Sequence, residues 1–193
     1  MNFEIVTEGD IEQCRALCNE LMQHQYKMSV QQRHIFAGMN FDTRLKPSFE
    51  NASEKMLVIA KDEGSPIGYL YVDIDIIHEE NINPTLEQIP PWARALYQPG
   101  ESIEGLYPSW ITPQKVGHLN NLYVKPEYQK RELGRKFMDI ALDYFHRHEE
   151  VSNVFVHISN GNDAVIDFYK KFGFTHSHDV FKGIIYGYLL KIR

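Results

Sequence analysis

The chain has 193 residues, 43% hydrophobic and 24% charged, with a formal net charge of -6 at pH 7. That length suits one domain with a substantial core, expected to span residues 1–193. The acidic balance makes nucleic acid and anionic membrane poor default partners, and no apolar run is long enough to cross a bilayer.

The opening MNFEIVTEGDIEQ has neither a basic n-region nor an apolar h-region, so no secretion signal and a cytoplasmic location are expected. NFEIV reads as a first strand. Asp10, with Gln13 three residues on, suggests a capping box opening a helix. Its apolar stripe runs through Ile11, Cys14, Leu17, Leu21 and His24. Cys14 and Cys18 share a face of that helix and lack partners for zinc, so they read as buried apolar cysteines and no metal is expected. Asn51-Ala52-Ser53 matches a glycosylation sequon, which carries no meaning without export. From Tyr26 to Phe49 the pattern is ambiguous, with one short helix suggested in MSVQQRHIFAGM. KMLVIAKDEGSPIGYLYVDIDII reads as a hairpin turning at KDEGSP.

At about 78–116 periodicity breaks down in a Pro-rich stretch, read as an insertion between strands; connections this long are usually functional or mobile. HLNNLYV is a strand. Gln129 to His148 reads as a helix with Leu133, Phe137, Ile140, Ala141, Tyr144 and Phe145 on one face. NVFVHI is a strand and SNGN a turn. Asp163 to Phe172 is a second helix, with Val165, Phe168, Tyr169 and Phe172 along one side. Gly173 follows as a C′ glycine, Phe174 as the residue packing back, and Lys170 and Lys171 suit the helix end. VFKGIIYGYLLKI reads as one closing strand bulged at its glycines. A hairpin followed by alternating strands and helices argues an α+β or α/β fold with a mixed sheet.

Chemistry gathers where the strand ends at Val124, Pro126 breaks it, and EYQKRELGR leads into the long helix. A helix's first turn leaves N–H groups unpaired and carries partial positive charge, which suits phosphate. Lys130, Arg131, Arg135 and Lys136 add cations, and Gly134 leaves one approach to the backbone open. Alone, this pattern fits a solvated basic turn equally well.

Two blocks together say more. QKRELG, from Gln129 to Gly134, resembles the Q/R-x-x-G-x-G/A segment of the GNAT family of N-acetyltransferases, with Glu132 standing where the first glycine usually does. Downstream, NGNDAVIDFYKKFGF is similar to that family's N-x-x-A-x-x-F/L-Y-x-x-x-G-F signature, through Asn162, Ala164 or Val165, Phe168, Tyr169, Gly173 and Phe174. The resemblance covers about 117–174 strongly and the hairpin and first helix more loosely. It implies the acyl-CoA N-acyltransferase fold: an α+β, three-layer arrangement with a mixed, mostly antiparallel central sheet flanked by helices. It also implies acetyl-coenzyme A as co-substrate, held in a splay between HLNNLYV and NVFVHI. Leu122, Tyr123 and Val124 would pair with the pantetheine. Gln129, Lys130, Arg131, Glu132, Leu133, Gly134 and Arg135 would hold the pyrophosphate, and Asn162 would reach the cofactor arm.

In the resemblance Tyr169 matches the general acid that protonates the departing thiolate; a phenol with a reference pKa of about 10 suits a late donor. The alternative is a core aromatic beside Val165 and Phe172. Many relatives carry a strand glutamate as base, but Asn120 and Asn121 stand here instead. His118 is a candidate base, titrating near pH 6.5 when unperturbed. A solvated strand-start histidine, or water leading to a distant carboxylate, are the other readings. Asn121 would bind substrate or a relay water, and the amides of Leu122 and Tyr123 would polarise the thioester carbonyl. Glu132 is expected to pair with Arg135 or Lys136, outside the phosphate nest. The acceptor, a small-molecule or peptide amine, would meet HQYK, the following loop and the insertion. There Trp92, Tyr97, Tyr107 and Trp110 give aromatic character, and Glu101 and Glu104 would attract a cation. The leading function is acetyl transfer to a primary amine through a tetrahedral intermediate. The alternative is a weak or inactive acyl-CoA-binding regulatory domain; a structural or nucleic-acid-binding role has only the basic turn in its favour. A homodimer is expected from the family's habit and from the apolar strand FKGIIYGYLL.

Overall fold

The computed structural model describes residues 1–129 and 131–193, so the expected phosphate contact Lys130 lies outside the described residues. In chain order the elements are β1 (Asn2–Val6), α1 (Arg15–Met28), α2 (Lys46–Asn51), β2 (Glu54–Asp62), β3 (Ser65–Ile76), α3 (Glu79–Ile82) and α4 (Pro91–Arg94). Then come β4 (Lys115–Val124), α5 (Leu133–His146), β5 (Asn153–Ser159), α6 (Asp163–Lys170), β6 (Thr175–Val180) and β7 (Ile185–Lys191). The seven strands form one sheet in the order β1-β2-β3-β4-β5-β7-β6. Every neighbouring pair is antiparallel except β4 and β5. The expected mixed, mostly antiparallel sheet is thus present.

Both faces of the sheet are covered, which is why β2 and β3 read as nearly continuous apolar runs. Val58, Leu70 and Leu119 pack towards Phe137, Met138, Ala141 and Phe145 of α5. Leu57, Ile59, Tyr69 and Tyr71 pack on the other face against Leu17, Cys18 and Leu21 of α1. The layers are therefore helix, sheet and helix.

Several local expectations are corrected. No capping box forms at Asp10: its carboxylate accepts from the Glu12 amide (2.8 Å), but Gln13 donates to Glu4 instead (3.0 Å). A single turn at Glu12–Cys14 precedes α1, and His24 is exposed, with Met22 buried in the stripe. The long helix begins at Leu133 rather than Gln129, because Pro126–Tyr128 form a separate turn and Glu132 sits at φ 61°, ψ 1°. The closing segment is not one strand. β6 ends at Val180, a turn with positive φ at Phe181, Lys182 and Gly183 reverses the chain, and β7 follows. β6 reads THSHDV, and an edge strand of alternating polar residues sends no apolar signal. The bulge lies in β6, between His176 and His178, not at the glycines. β7 is paired on both edges, by β5 and β6, so its apolar character is satisfied within the sheet. That motive for a dimer lapses.

The long segment between β3 and β4 packs onto the sheet and the β6–β7 turn. Tyr107 lies edge-on to Phe155 (5.1 Å) and donates to Asp75 (2.9 Å), and Trp92 lies edge-on to Phe181 (5.1 Å). Glu101 pairs with Lys182 (2.6 Å) and Glu104 accepts from Tyr97, so neither glutamate is free to draw a cationic substrate. No helix among the described residues is long and apolar enough to cross a membrane.

Two turns after the helices are fixed by named contacts. At the end of α6, Gly173 adopts φ 90°; its amide bonds Lys170 O (3.0 Å) and the Phe174 amide bonds Tyr169 O (3.3 Å). That is the expected glycine-ended Schellman cap, with Phe174 buried beneath it. After β5, the buried Asn160 staples the loop that follows α1. Its Oδ1 accepts from the amides of Val30 (2.8 Å) and Gln31 (2.7 Å), and its Nδ2 donates to Gln31 O (3.2 Å) and Ile184 O (2.9 Å). Asn160→Ala leaves the Val30 and Gln31 amides without partners, whereas Gln31 O keeps Ser29 Oγ (2.9 Å) and Ile184 O keeps the backbone amide of residue 160 (3.0 Å), and the change is expected to lower stability by about 2 kcal/mol. Urea unfolding measures it; a loss below about 0.5 kcal/mol would show that the staple adds nothing net.

Candidate active site

β4 and β5 pair only where Gly117–Leu119 face Val154–Val156. Beyond Leu119, β4 stays with β3 as far as Val124, while β5 goes with β7. The two central strands therefore part, and the opening between them is the candidate site.

A cavity of about 690 Å³ occupies this opening. That is within the range of small-molecule sites, which run to about 300–1,000 Å³. Of the residues expected to bind cofactor, Leu122, Tyr123, Val124, Gln129, Glu132, Gly134, Arg135, Asn162 and Tyr169 line it. Arg131 and Leu133 do not: Arg131 lies over the Tyr128 ring (5.2 Å), and Leu133 is buried in the core under α5. Leu133 can serve only through its backbone. Lys171 and Phe172 from the end of α6, with Phe168, complete the wall. Sequence reading had placed Lys171 as a helix-end charge; its approach to the start of α5 is a tertiary fact without a local signal.

At the mouth, α5 has no side-chain cap, and its ladder begins with the Lys136 amide on Glu132 O (3.0 Å). The amides of Leu133, Gly134 and Arg135 thus have no helical partner. Gln129 donates to Val124 O (3.0 Å), tying the turn to the strand end. Glu132 is in the left-handed region, where glycine is at ease and an L-residue is strained by about 1–2 kcal/mol. It forms no ion pair with Arg135 or Lys136, contrary to expectation. The turn still forms, with the glutamate side chain exposed. Glu132→Gly is therefore expected to raise stability by about 0.5–1 kcal/mol. Acetyl-CoA affinity should change by less than about tenfold. Calorimetric titration and melting on one preparation check both. A hundredfold change in affinity would place the carboxylate against phosphate.

A smaller cavity of about 50 Å³ adjoins the first, and Leu21, Leu122, Asn162, Val165 and Tyr169 border both. Tyr169 is buried on α6 against Phe174 (5.6 Å between rings), and burial raises its phenol above the ordinary range. Asn121 lines the smaller cavity, as does His157 of β5.

His118 lines neither of the two cavities. It stands opposite Asp73 across β3 and β4, its Nδ1 3.3 Å from Asp73 Oδ1. Its Nε2 is 3.2 Å from His157 Nδ1, and His157 Nε2 is 2.7 Å from Leu106 O, which also receives His178 Nε2 at 2.8 Å. A carbonyl only accepts, so His157 Nε2 carries a proton. Burial, with the neighbouring His118, holds the His157 ring neutral by pulling it well below its ordinary value. Its Nδ1 then accepts from His118 Nε2, which leaves that nitrogen of His118 no lone pair for an amine. Burial works to raise Asp73, but His118, with Tyr71 (3.0 Å) and Asn120 (3.2 Å) donating to Oδ2, holds it below the usual carboxylate value. Glu54, His148 and Glu150 form an acidic cluster elsewhere, filled by Lys115 Nζ at 2.5 Å from Glu54 and 3.1 Å from Glu150.

The pieces fit an acyl-CoA. The unpaired amides at the start of α5 and the cations Arg135 and Lys171 border the larger cavity, and the buried Asn162 lines it as well. Comparison with known proteins agrees. The family described as the acetyltransferase (GNAT) family matches residues 18–174. No curated protein sequence matches the chain. Among solved structures, PaiA N-acetyltransferase from Thermoplasma acidophilum in complex with coenzyme A is similar at TM-score 0.63 and 15% identity, over 99% of each chain. A protein from Bacillus halodurans is similar at TM-score 0.62 and 14% identity, over 93% of this chain and 96% of that one. A chain of the NatC complex bound to Gag peptide and CoA is similar at TM-score 0.54 and 14% identity, over 100% of each. At such identities these structures speak for the fold, and the family match for the chemistry. The chain belongs to the acetyltransferase (GNAT) family, whose reaction is transfer of an acetyl group from acetyl-CoA to an amine acceptor.

Proposed function

We propose that residues 1–193 act as one N-acetyltransferase domain whose cofactor lies in the β4–β5 opening, with the 78–116 insertion as part of its frame. The observation that carries this is the junction of the two cavities at Leu122 and Tyr169, beside the unpaired start of α5. The pyrophosphate rests on the amides of Leu133, Gly134 and Arg135, with Gln129 and Glu132 shaping the turn and Arg131 at its rim. The β4 residues Leu122, Tyr123 and Val124 run alongside the pantetheine, and Asn162 borders it. The amine attacks the thioester carbonyl directly. The resulting tetrahedral intermediate collapses, Tyr169 protonates the leaving thiolate, and the nitrogen releases its surplus proton to water. A buried phenol with a raised pKa stays protonated at neutral pH and can donate. His118 acts by positioning His157, not as a base.

The acceptor is a small-molecule or peptide amine, in keeping with the peptide named with the NatC complex. We place the protein in the cytoplasm, without nucleic acid or membrane as partner. A homodimer would have to use an open edge, β1 or β6. Light scattering tests it, and a single monomer mass at micromolar concentration counts against it. The reading itself is tested by melting with acetyl-CoA, then thiol release over a panel of amines. A saturable rise in melting temperature and turnover with one amine class are expected. Binding without turnover would leave the regulatory alternative, and no binding would remove the whole reading.

A further inference from the structure

β1 and β6 are the two edges of the sheet, and they are built differently. β6 carries a bulge between His176 and His178, a feature that twists an edge away from further pairing. β1 has no proline, no lysine and no bulge, and it pairs with β2 residue by residue from Asn2 to Val6. Among the described residues no other element bonds to its backbone, so the N–H and C=O groups that point away from β2 are open. The side chains of β1 divide between the two faces of the sheet. Phe3 and Ile5 stand opposite Ala60 and Val58, on the side of α5, where Phe3 lies edge-on to Phe137 (5.8 Å). Ile5 is 61% exposed, an apolar side chain left in water at the sheet edge. Glu4 and Val6 stand opposite Ile59 and Leu57, on the side of α1, and there Glu4 meets Gln13 and Lys61. Exposed Glu8, Asp10 and Glu12 follow at once, and the first fourteen residues hold no Lys, Arg or His. One side of this edge is therefore apolar and the other acidic.

We propose that the outer edge of β1 is a docking site for an extended peptide segment of another protein, added to the sheet as a further strand, in which apolar residues alternate with lysine or arginine. Backbone pairing supplies the part of the affinity that is blind to sequence, and the pleat supplies the choice of side chains. Successive side chains of an added strand point to opposite faces. Every second residue therefore falls beside Phe3 and Ile5, and those between fall beside Glu4. An apolar residue on the first side covers Ile5. A cation on the second side meets Glu4, whose present partner Lys61 lies on β2, away from the open edge, and it meets the acids that follow in the chain. A second copy of this chain is a poorer occupant. Two-fold pairing would bring the acids of both first segments together with no cation from either, and like charges across paired strands are destabilising. The edge is separated from β4 by β2 and β3, and no β1 residue lines either cavity, so a docked segment leaves the opening free.

The probe is a heptapeptide alternating valine with arginine, acetylated and amidated so that it carries no amine for transfer. Its binding to the isotope-labelled, full-length protein is followed by NMR and amide hydrogen exchange. Saturable binding is expected, with exchange slowed by about fivefold or more at the outward amides of β1. The same residues arranged in two blocks should bind about tenfold more weakly, and so should a peptide with glutamate in place of arginine. Added salt should weaken the arginine peptide and narrow its lead over the glutamate one. Ile5→Lys should weaken the arginine peptide by about tenfold and Glu4→Gln by about threefold, while melting temperatures of the same samples report an intact fold. If a variant does not fold, the block and glutamate peptides decide the matter on the parent protein. No binding, equal binding of the block peptide, or slowed exchange at β6 instead of β1 overturns the proposal. So does a parent protein that is dimeric by light scattering and monomeric as Ile5→Lys, which assigns the edge to a second copy. Acetyl-CoA plays no part in these measurements, so the acetyl-transfer reading and the docking edge fail separately.

Discussion

Tyr169→Phe is expected to lower kcat by about 10²–10⁴-fold while leaving acetyl-CoA binding nearly unchanged. The ring contacts that place the residue, with Phe174 at 5.6 Å and Phe168 at 5.3 Å, survive the substitution. The hydroxyl makes no hydrogen bond among the described residues, so its loss breaks no internal pairing and the melting temperature should hardly move. What disappears is the one phenol that borders both cavities. If expulsion of the thiolate needs a proton from that position, turnover falls and KM for acetyl-CoA does not. If Tyr169 is only a core aromatic, kcat is unchanged. Measuring kcat, KM and melting on one preparation separates the cases, and full activity in a folded variant would remove the tyrosine from the mechanism.

Much of the candidate site could be read from the chain because the wall of the larger cavity includes two short, local blocks. The turn from Gln129 to Gly134 and the helix from Asn162 to Phe174 carry their chemistry in neighbouring residues, and both blocks border the larger cavity. The left-handed backbone at Glu132 was not legible, because a glutamate gives no sign of its own φ; the glycine that the family pattern has there is at ease in that region. Lys171 and Phe172 were read only as a helix-end charge and an apolar-face residue, because their place in the cavity wall depends on where α6 ends relative to α5. That His118 stands away from both cavities escaped notice for a similar reason. Residue type made it a plausible base, but its partners come from β3, β5 and the insertion, set by a register that the bulge at Asn120 shifts. Long-range pairing of this kind leaves no periodicity behind. The polar edge strand β6 was missed because edge strands need no apolar face, and β7 looked exposed because its cover could not be seen.

Asp73 is the position where that long-range pairing has its largest energetic consequence. Its carboxylate is buried, faces His118 across the β3–β4 pair, and accepts from Tyr71 and Asn120. Tyr71 in turn donates to Ser48 O (2.9 Å) at α2. Asp73→Ala leaves His118, Tyr71 and Asn120 with lost partners in a dry interior, a change that typically destabilises by about 3–5 kcal/mol. For a chain of this size that is a fall in melting temperature of about 10–15 °C. Asp73→Asn keeps the shape and part of the hydrogen bonding but replaces the carboxylate that faces His118 with a neutral amide, so it should fall between the parent and Asp73→Ala. The pH dependence has a definite sign. The folded-state pKa of Asp73 is lowered from the ordinary value of 3.8, so its contribution is fully present above about pH 4 and is lost as pH falls through the lower, folded value. Parent and Asp73→Ala stabilities should therefore differ by a constant amount from Asp73 itself at neutral pH and converge in acid. Urea unfolding from pH 7 down to pH 3 measures this. A loss under about 1 kcal/mol at pH 7, or a gap that widens in acid, would mean that the carboxylate is not what holds β3 and β4 at the opening.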